Sequence, residues 1–365
     1  MYSERCQRLV EEMSAQNLDA MAIVPGPNLL YLTGLSFHLS ERPIVALFTA
    51  DGQPALILPQ LEAVRVEQDD IDLFSYTDEE GHSIAFRRAF DALSLEGARI
   101  GAESLQMRLI EVRLLDQMAP DAELVPDGDV LVDLRLLKDP KELDQMRSAA
   151  AITDEALRVT MDQVRVGMSE REIASLLRIE LFRAGADGMA FSPIVVAGPN
   201  AARPHNTPSD RPVQAGDSLI VDCGATLGGY AADLTRTFFI EQPDDEWSRI
   251  YDVVRAASAA GRAAVCLDVP AENVDRAARD VIEGAGYGDY FIHRTGHGLG
   301  LETHEPPYIV SGNRRPLKAN MVFTVEPGIY LPGRGGVRIE DDVLVTDNGP
   351  EVLTSFARHL TTLPS

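Results

Sequence analysis

The chain has 365 residues, of which 45% are hydrophobic and 25% are charged. This composition is typical of a globular protein long enough for two domains, and it excludes a disordered or collagen-like chain. The 57 acidic side chains against 33 basic ones give a formal net charge of -24. Because this charge repels phosphate backbones and anionic lipid, we expect no nucleic-acid partner and no membrane partner.

The compartment is predicted from what the sequence lacks. No run approaches the ~18 apolar residues of a membrane helix, and the N-terminus carries Glu4, Glu11 and Glu12 where a targeting peptide would be basic. The 3 cysteines are too few and too scattered for a disulfide framework. We therefore expect a cytoplasmic protein.

The first 130 residues alternate helical and strand patterns, which predicts an α/β domain. Asp51-Gly52 is a hairpin signal between two of the strands. The predicted helices cover 3–18, 83–95 and 105–118, and the predicted strands cover 20–24, 44–49, 55–58 and 99–102.

The Asp139-Pro140 pair can open a helix and lies near a change in pattern. We place the domain boundary just before it, which predicts domains of 1–132 and 133–365. Ser169 and Glu172 have the spacing of a capping box, and short strands broken by Gly and Pro follow, as in an α+β domain. The predicted helices of this part cover 141–164, 169–184, 246–261 and 274–284.

Two aspartates are predicted to face each other in this second part. Asp222 ends the apolar strand 218–223, and Asp233 lies in the predicted strand 230–239. Glycines between them allow an antiparallel hairpin in which the two carboxylates lie opposite each other, so they require a cation or a shared proton. The alternative is that one aspartate pairs with Arg236 or caps a turn.

A second pair of acids repeats this pattern. Glu326 lies in the apolar segment 321–330 and Glu340 in 337–345, with a Gly-rich stretch between them, which predicts another hairpin with interior carboxylates. His297 and His304 supply imidazoles, and the glycines around His297 allow a close backbone approach. The segment has neither the GxGxxG spacing of a phosphate loop nor the second histidine of an HExxH zinc site.

Four carboxylates and an imidazole exceed the ligand set of one catalytic zinc ion. They suit two divalent ions that activate water and polarise a carbonyl or phosphoryl group. Oxygen-rich ligation favours manganese, cobalt, iron or zinc over copper, and it leaves the choice among these four open.

These motifs resemble the metallopeptidases of the pita-bread fold, and the whole chain resembles Xaa-Pro dipeptidases (prolidases) and Xaa-Pro aminopeptidases. The resemblance implies a creatinase-like N-terminal α/β domain, a pita-bread catalytic domain and a homodimer. The segments that carry it are VDCGATLGGYAADLTRTF (221–238), HRTGHGLGLETHEPP (293–307), FTVEPGIY (323–330) and VRIEDDVLV (337–345).

The resemblance also implies roles for individual residues. Glu326 would handle a proton while a metal-bridging hydroxide attacks the scissile carbonyl, and Arg338 would belong to the active site. His205 and His304 would contact the substrate and the tetrahedral intermediate, with His293 beside them in the substrate site. The implied metal ligands are Asp222, Asp233, His297, Glu326 and Glu340, of which Asp233 and Glu340 match the bridging positions.

The N-terminal segments NLLYLTGL (28–35) and ERPIVALF (41–48) resemble the part of the creatinase-type domain that reaches the partner's active site in family dimers. His38 or Arg42 would then contact substrate in the partner subunit. A surface loop without this role is the alternative for either residue.

The expected activity is release of an N-terminal residue that precedes proline, from dipeptides or short peptides. Dipeptidase and aminopeptidase are not separated by length or motif. The alternatives are a creatinase-like amidinohydrolase or related lyase on the same fold, and a non-catalytic binding protein. The N-domain disfavours a methionine aminopeptidase, and the complete ligand set disfavours a metal-free creatinase.

Overall fold

A computed structural model describes residues 2–50, 54–67 and 70–364. The chain divides into two compact units, Met1–Arg135 and Leu136–Ser365. The predicted boundary after residue 132 falls inside the helix Val130–Leu136. No helix in the described ranges combines the length and apolar character needed to cross a bilayer.

The first unit is a six-stranded sheet in the order β4-β3-β2-β1-β5-β6, with helices packed on it. Phe86 and Phe90 of α4 and Leu114 and Leu115 of α5 are buried in its core. The elements are α1 (Tyr2–Ala15), β1 (Ala20–Ile23), α2 (Pro27–Thr33), β2 (Val45–Thr49), β3 (Pro54–Pro59), α3 (Gln60–Ala63), β4 (Asp72–Tyr76), α4 (His82–Leu93), β5 (Arg99–Ala102), α5 (Leu109–Met118), β6 (Glu123–Pro126) and α6 (Val130–Leu136).

The predicted α/β pattern of this unit agrees with these elements. Strands β2 and β3 pair antiparallel, as a hairpin requires. The Asp51-Gly52 turn itself lies outside the described residues. Sequence patterning missed β4 and β6, the two edge strands, because both expose several side chains and so lack a continuous apolar run.

The second unit begins with two long helices. The sequence predicted a helix start at Asp139-Pro140 and a capping box at Ser169 and Glu172, and both are present. Asp139 accepts hydrogen bonds from the first turn of α7, and Ser169 accepts one from Glu172 of α8. Its helices are α7 (Pro140–Met161), α8 (Glu170–Arg183), α9 (Asp245–Ala263) and α10 (Glu272–Gly284), with 3₁₀ turns at Gly198–Ala202 and Gly288–Tyr290.

The strands of the second unit form small antiparallel sheets, with one parallel pair. One sheet has the order β20-β12-β9-β8 and another the order β14-β13-β15-β18-β19. The strands are β7 (Gly188–Met189), β8 (Ile194–Ala197), β9 (Ser218–Cys223), β10 (Ala225–Leu227), β11 (Tyr230–Ala231), β12 (Leu234–Ile240), β13 (Gly296–Gly298), β14 (Glu305–Ile309), β15 (Val322–Val325), β16 (Gly328–Leu331), β17 (Gly335–Arg338), β18 (Asp341–Thr346), β19 (Gly349–Val352) and β20 (Thr361–Leu363).

Two glycines make the central strand β13 possible. A Cβ added to Gly296 would lie 1.8 Å from the carbonyl oxygen of Thr324, and one added to Gly298 would lie 2.2 Å from that of Pro306. Backbone therefore approaches β13 more closely than any side chain permits. The close approach predicted from the glycines around His297 is present, and it fixes the strand that carries this histidine.

We predict that Gly296→Ala lowers the free energy of unfolding by about 2 kcal/mol or more, because the clash is with backbone that cannot rotate away. Urea unfolding measures the change. Gly284→Ala is the control, since among the described residues no heavy atom outside the neighbouring backbone of α10 lies within 4 Å of its added Cβ. Equal stabilities of the two variants would contradict the prediction.

Candidate metal centre

Five predicted ligands converge on one cleft of the second unit, which has a volume of about 710 Å³. Each lies at or next to the end of a short strand, except His297, which is the middle residue of β13. Side chains at such breaks can be directed inward while the flanking strands keep their pairing. The five are Asp222, Asp233, His297, Glu326 and Glu340.

The first hairpin differs from the prediction by two residues. Its register places Thr235, not Asp233, opposite Asp222. The predicted strand 230–239 is interrupted, and Asp233 lies just before β12. Because Asp233 and Thr235 have the same parity, both still belong to the face of Asp222. The two aspartates thus share a face but are diagonal neighbours, and the predicted direct opposition was wrong.

The second hairpin has the predicted form. Strand β15 pairs with β18 up to Val325 and Asp341, and β16 pairs with β17 from Gly328 and Arg338 onward. The two ladders share one register, and that register puts Glu326 opposite Glu340. Both glutamates lie in the break between ladders and line the cleft.

His297 has the tautomer expected of a metal ligand. Burial, together with the nearby His304, lowers the pKa of His297 to about 3, so its ring is neutral at pH 7. Its Nδ1 lies 3.1 Å from the carbonyl oxygen of Gly298, which can only accept, so Nδ1 carries the hydrogen. The Nε2 lone pair then points at Asp233 Oδ2, 3.8 Å away, and at Glu326 Oε1, 3.6 Å away.

A cation would resolve this arrangement of lone pairs and acids. Ligand atoms of Asp233, His297 and Glu340 all lie within 4.8 Å of one another. Oδ1 of Asp222 and Oδ1 of Asp233 are buried without a hydrogen-bond partner. An orphaned buried carboxylate oxygen is costly unless an ion approaches it. The donor set, carboxylate oxygens plus one imidazole, therefore fits divalent metal ions.

The electrostatics of the acids point the same way. Burial and the neighbouring Glu340 and Asp222 raise the pKa of Asp233 well above its usual range. Burial, with Glu326 and Asp222, does the same to the pKa of Glu340. Burial raises the pKa of Glu326 to about 7, although Arg338 opposes the change. Without bound cations, the cleft must therefore retain protons on these acids.

Arg338 is buried beside the acids. Its guanidinium donates to Asp222 Oδ2 at 2.6 Å, to the hydroxyl of Thr235 at 3.1 Å and to the hydroxyl of Tyr330 at 3.0 Å. Thr235 in turn donates to the Glu340 carboxylate. The arginine therefore balances one acid and, through Thr235, helps orient another.

Sequence reasoning missed Thr235 and Tyr330. The Tyr330 hydroxyl lies 2.9 Å from Nε2 of His293, so it connects this histidine to Arg338. The alternation of β12 was a signal for Thr235, since it shares the face of Asp222. Tyr330 is the last residue of the motif FTVEPGIY (323–330). Its position beside Arg338 depends on the pairing of β16 with β17, which the motif does not reveal.

The predicted histidines occupy different positions around the cleft. His205 and His304 are exposed and line it, and the His304 ring centroid lies 4.0 Å from that of His297. His293 also lines the cleft, and burial lowers its pKa to about 3. His38 is an exposed residue of the first unit, and its contact with a partner's site stays a prediction. In that unit Arg42 pairs with Asp78 at 2.8 Å.

Arg236 settles one alternative left open by the sequence. It pairs with Asp341 at 2.7 Å rather than with Asp222 or Asp233, and it also donates to the carbonyl oxygen of Glu340. The alternative that Arg236 neutralises a cleft aspartate is therefore wrong.

Comparisons with known proteins identify the family of the chain. Residues 144–347 match the model of metallopeptidase family M24, and residues 5–137 match the Creatinase/Prolidase N-terminal domain. An uncharacterized peptidase of Staphylococcus saprophyticus is 35% identical over 359 residues, which are 97% of this chain and 100% of that protein.

Two solved structures are similar over nearly the full length. A prolidase from Thermococcus sibiricus matches with a TM-score of 0.96 and 36% identity, over 100% of this chain and 99% of that one. A dipeptidase from Pyrococcus horikoshii OT3 matches with a TM-score of 0.94 and 38% identity, over 98% and 100% respectively.

The protein is a member of metallopeptidase family M24, with a creatinase-type N-terminal domain followed by a pita-bread catalytic domain. The family and fold expected from the sequence motifs are confirmed.

We predict that chelated protein loses stability as pH rises. The pKa of Glu326 in the folded state, about 7, exceeds the ordinary glutamate value of 4.5, so the folded state binds an extra proton between these two pH values. Stability from this group is present below pH ~4.5 and is lost as pH passes 7, a change of about 3 kcal/mol.

Thermal unfolding from pH 5 to pH 8, with chelator and with manganese, measures this effect. We expect the melting temperature with manganese to exceed that with chelator by an amount that grows with pH. In Glu326→Gln this difference should grow less. A gap that narrows with pH would contradict the prediction.

Proposed function

We propose that the protein is an Xaa-Pro dipeptidase, which hydrolyses the bond between an N-terminal residue and proline. The observation that carries the proposal is the cleft in which four carboxylates, three of them buried and that of Glu326 half-buried, meet the neutral His297 and further histidines. The similarity to a prolidase and a dipeptidase over nearly the whole chain supports this substrate class. Proline requires a dedicated site because its imide nitrogen carries no hydrogen to donate.

We propose Asp222, Asp233, His297, Glu326 and Glu340 as the ligands of two divalent ions, with manganese first and cobalt, zinc or iron as alternatives. Bound there, such ions activate water and polarise the scissile carbonyl. The orphaned oxygens of Asp222 and Asp233 support this assignment, since each is buried without a hydrogen-bond partner.

The remaining steps belong to the side chains. Glu326 is our choice for the proton acceptor, since its carboxylate lines the cleft beside the other proposed ligands and its Oε1 lies 3.6 Å from Nε2 of His297. His205 and His304 line the cleft, where their ring N–H groups can donate to the substrate carbonyl. Burial, with Arg294 and His205, lowers the pKa of His304, which keeps it a neutral donor.

Arg338 has a positioning role in this proposal. Hydrogen bonds to Thr235 and Tyr330 hold the guanidinium against Asp222, so it fixes that acid and adds positive charge to the cleft wall. His293 is held by Tyr330 in the same chain of contacts. A homodimer, in which His38 reaches the partner's site, is part of the proposal and follows from the family resemblance alone.

We expect metal-loaded protein to cleave Ala-Pro and to leave Ala-Pro-Ala largely intact. Released alanine, measured before and after chelator treatment, gives the result. Cleavage of Ala-Pro-Ala at a comparable rate would show an aminopeptidase instead. Activity on creatine, or activity that survives complete metal removal, would contradict the proposed reaction.

Asp233→Asn should remove most activity, with kcat lower by about a hundredfold or more, because it takes a charged ligand from the centre. Bound manganese per chain should fall as well. Asp252→Asn is the matched control, since it makes the same change on the exposed side of α9. Full turnover in Asp233→Asn would disprove the ligand assignment.

A further inference from the structure

The segment that carries His205 has little regular structure of its own. It connects β8 to β9 and contains one 3₁₀ turn, Gly198–Ala202. His205 follows that turn and is exposed on the cleft. Because no strand pairing fixes residues 203–207 and the segment has only short turns of its own there, contacts from outside it contribute to the position of the histidine.

One buried carboxylate binds the segment on both sides of His205. Glu170, the first residue of α8, has no exposed surface. Its Oε1 accepts the backbone N–H of Ala197 at 2.7 Å and the side-chain amide of Asn200 at 3.0 Å. Its Oε2 accepts the backbone N–H of Ser209 at 2.9 Å and the Ser209 hydroxyl at 2.6 Å. His205 therefore lies within a loop that this single carboxylate closes.

The contacts continue from Glu170 toward the histidine. The side chain of Asn200 is bound by Glu170. The backbone carbonyl oxygen of Asn200 accepts a hydrogen bond from the side-chain amide of Asn206 at 3.2 Å. On the other side, the carbonyl oxygen of Pro204 accepts from Arg338 at 3.4 Å. Both chain neighbours of His205 are thus tied down, one through Glu170 and one through the arginine of the cleft.

We propose that Glu170 is a positioning residue that holds His205 at the substrate, an inference that rests on the proposed function of His205. The contacts require a carboxylate. The groups that contact its two oxygens, on Ala197, Asn200 and Ser209, are all donors, so a glutamine would turn an N–H group toward at least one other donor. The loop would then lose a contact at one end and His205 its fixed place.

The test compares Glu170→Gln with Glu172→Gln. Both change a glutamate to its amide in the first turn of α8, but Glu172 is exposed and its carboxylate accepts from Ser169, the N-cap. We expect kcat on Ala-Pro to fall about tenfold to a hundredfold in Glu170→Gln, with a smaller change in KM. Glu172→Gln should keep the wild-type kcat. Equal kcat values in the two variants would overturn the proposal.

A double-mutant cycle separates positioning from general damage. In a His205→Ala background, Glu170→Gln should lower kcat little further, because the residue through which it acts is gone. If Glu170→Gln lowers kcat by the same factor in both backgrounds, Glu170 does not act through His205 and the proposal is wrong.

Amide hydrogen exchange provides a readout that does not require activity. Ala197 and Ser209 should exchange faster in Glu170→Gln than in Glu172→Gln, and unchanged exchange would refute the positioning role even if Ala-Pro is cleaved. Conversely, faster exchange in a protein that cleaves no Xaa-Pro bond would contradict the proposed function and keep the loop contact. If Glu170→Gln does not fold, Ser209→Ala removes one contact, and it should lower kcat in the same direction by a smaller factor.

Discussion

Mutual repulsion among buried carboxylates is the constraint on which this catalytic domain depends. Burial and like charge raise the pKa values of Asp233 and Glu340, while the arginine beside them, Arg338, directly contacts Asp222. Uncompensated acids of this kind persist in a fold only if cations or protons balance them. The repulsion that makes these acids costly without a cation is therefore also the reason that they can bind one. The two hairpins bring the acids together in one cleft.

His205, His304 and His293 line the cleft, and the segment that carries each of them is fixed by contacts with a further buried acid. Glu170 closes the loop of His205. Glu305, next to His304, forms a buried ion pair with Lys138 at 2.7 Å. Asp275 accepts from Thr295 and from Arg279, and Arg279 donates to the carbonyl oxygen of His293. A cleft built from strand ends and loops gains a defined geometry in this way, because satisfied buried networks are rigid.

The sequence predicted the members of the site better than their arrangement. Apolar runs that end in an acid, with glycines between them, indicated both hairpins. For Glu326 and Glu340 the spacing was enough, since one register runs through both ladders. For Asp222 and Asp233 the spacing was not enough. The strand begins only at Leu234, and the observed register differs by two residues from the predicted one. Partners distant in sequence, such as Tyr330 with His293, or Glu170 with Ser209, follow from tertiary packing and leave no local pattern.

The segment Ile339-Glu340-Asp341-Asp342 shows how strand alternation sorts acids by purpose. Glu340 faces the cleft, and Asp342, two residues on, accepts the backbone N–H of Asp233. Asp341 points the other way and contacts Arg236, Arg262 and Arg358 at 2.6–2.7 Å. Burial alone would raise the pKa of Asp341, but the arginines bring it below its ordinary value, whereas the pKa of Glu340 is raised. Glu340 and Asp341 are thus both buried, but their pKa values are shifted in opposite directions. The reason is that successive side chains lie on opposite faces of the strand and meet different partners. The overall charge of -24 consequently says little about the site, since it counts compensated and uncompensated acids alike.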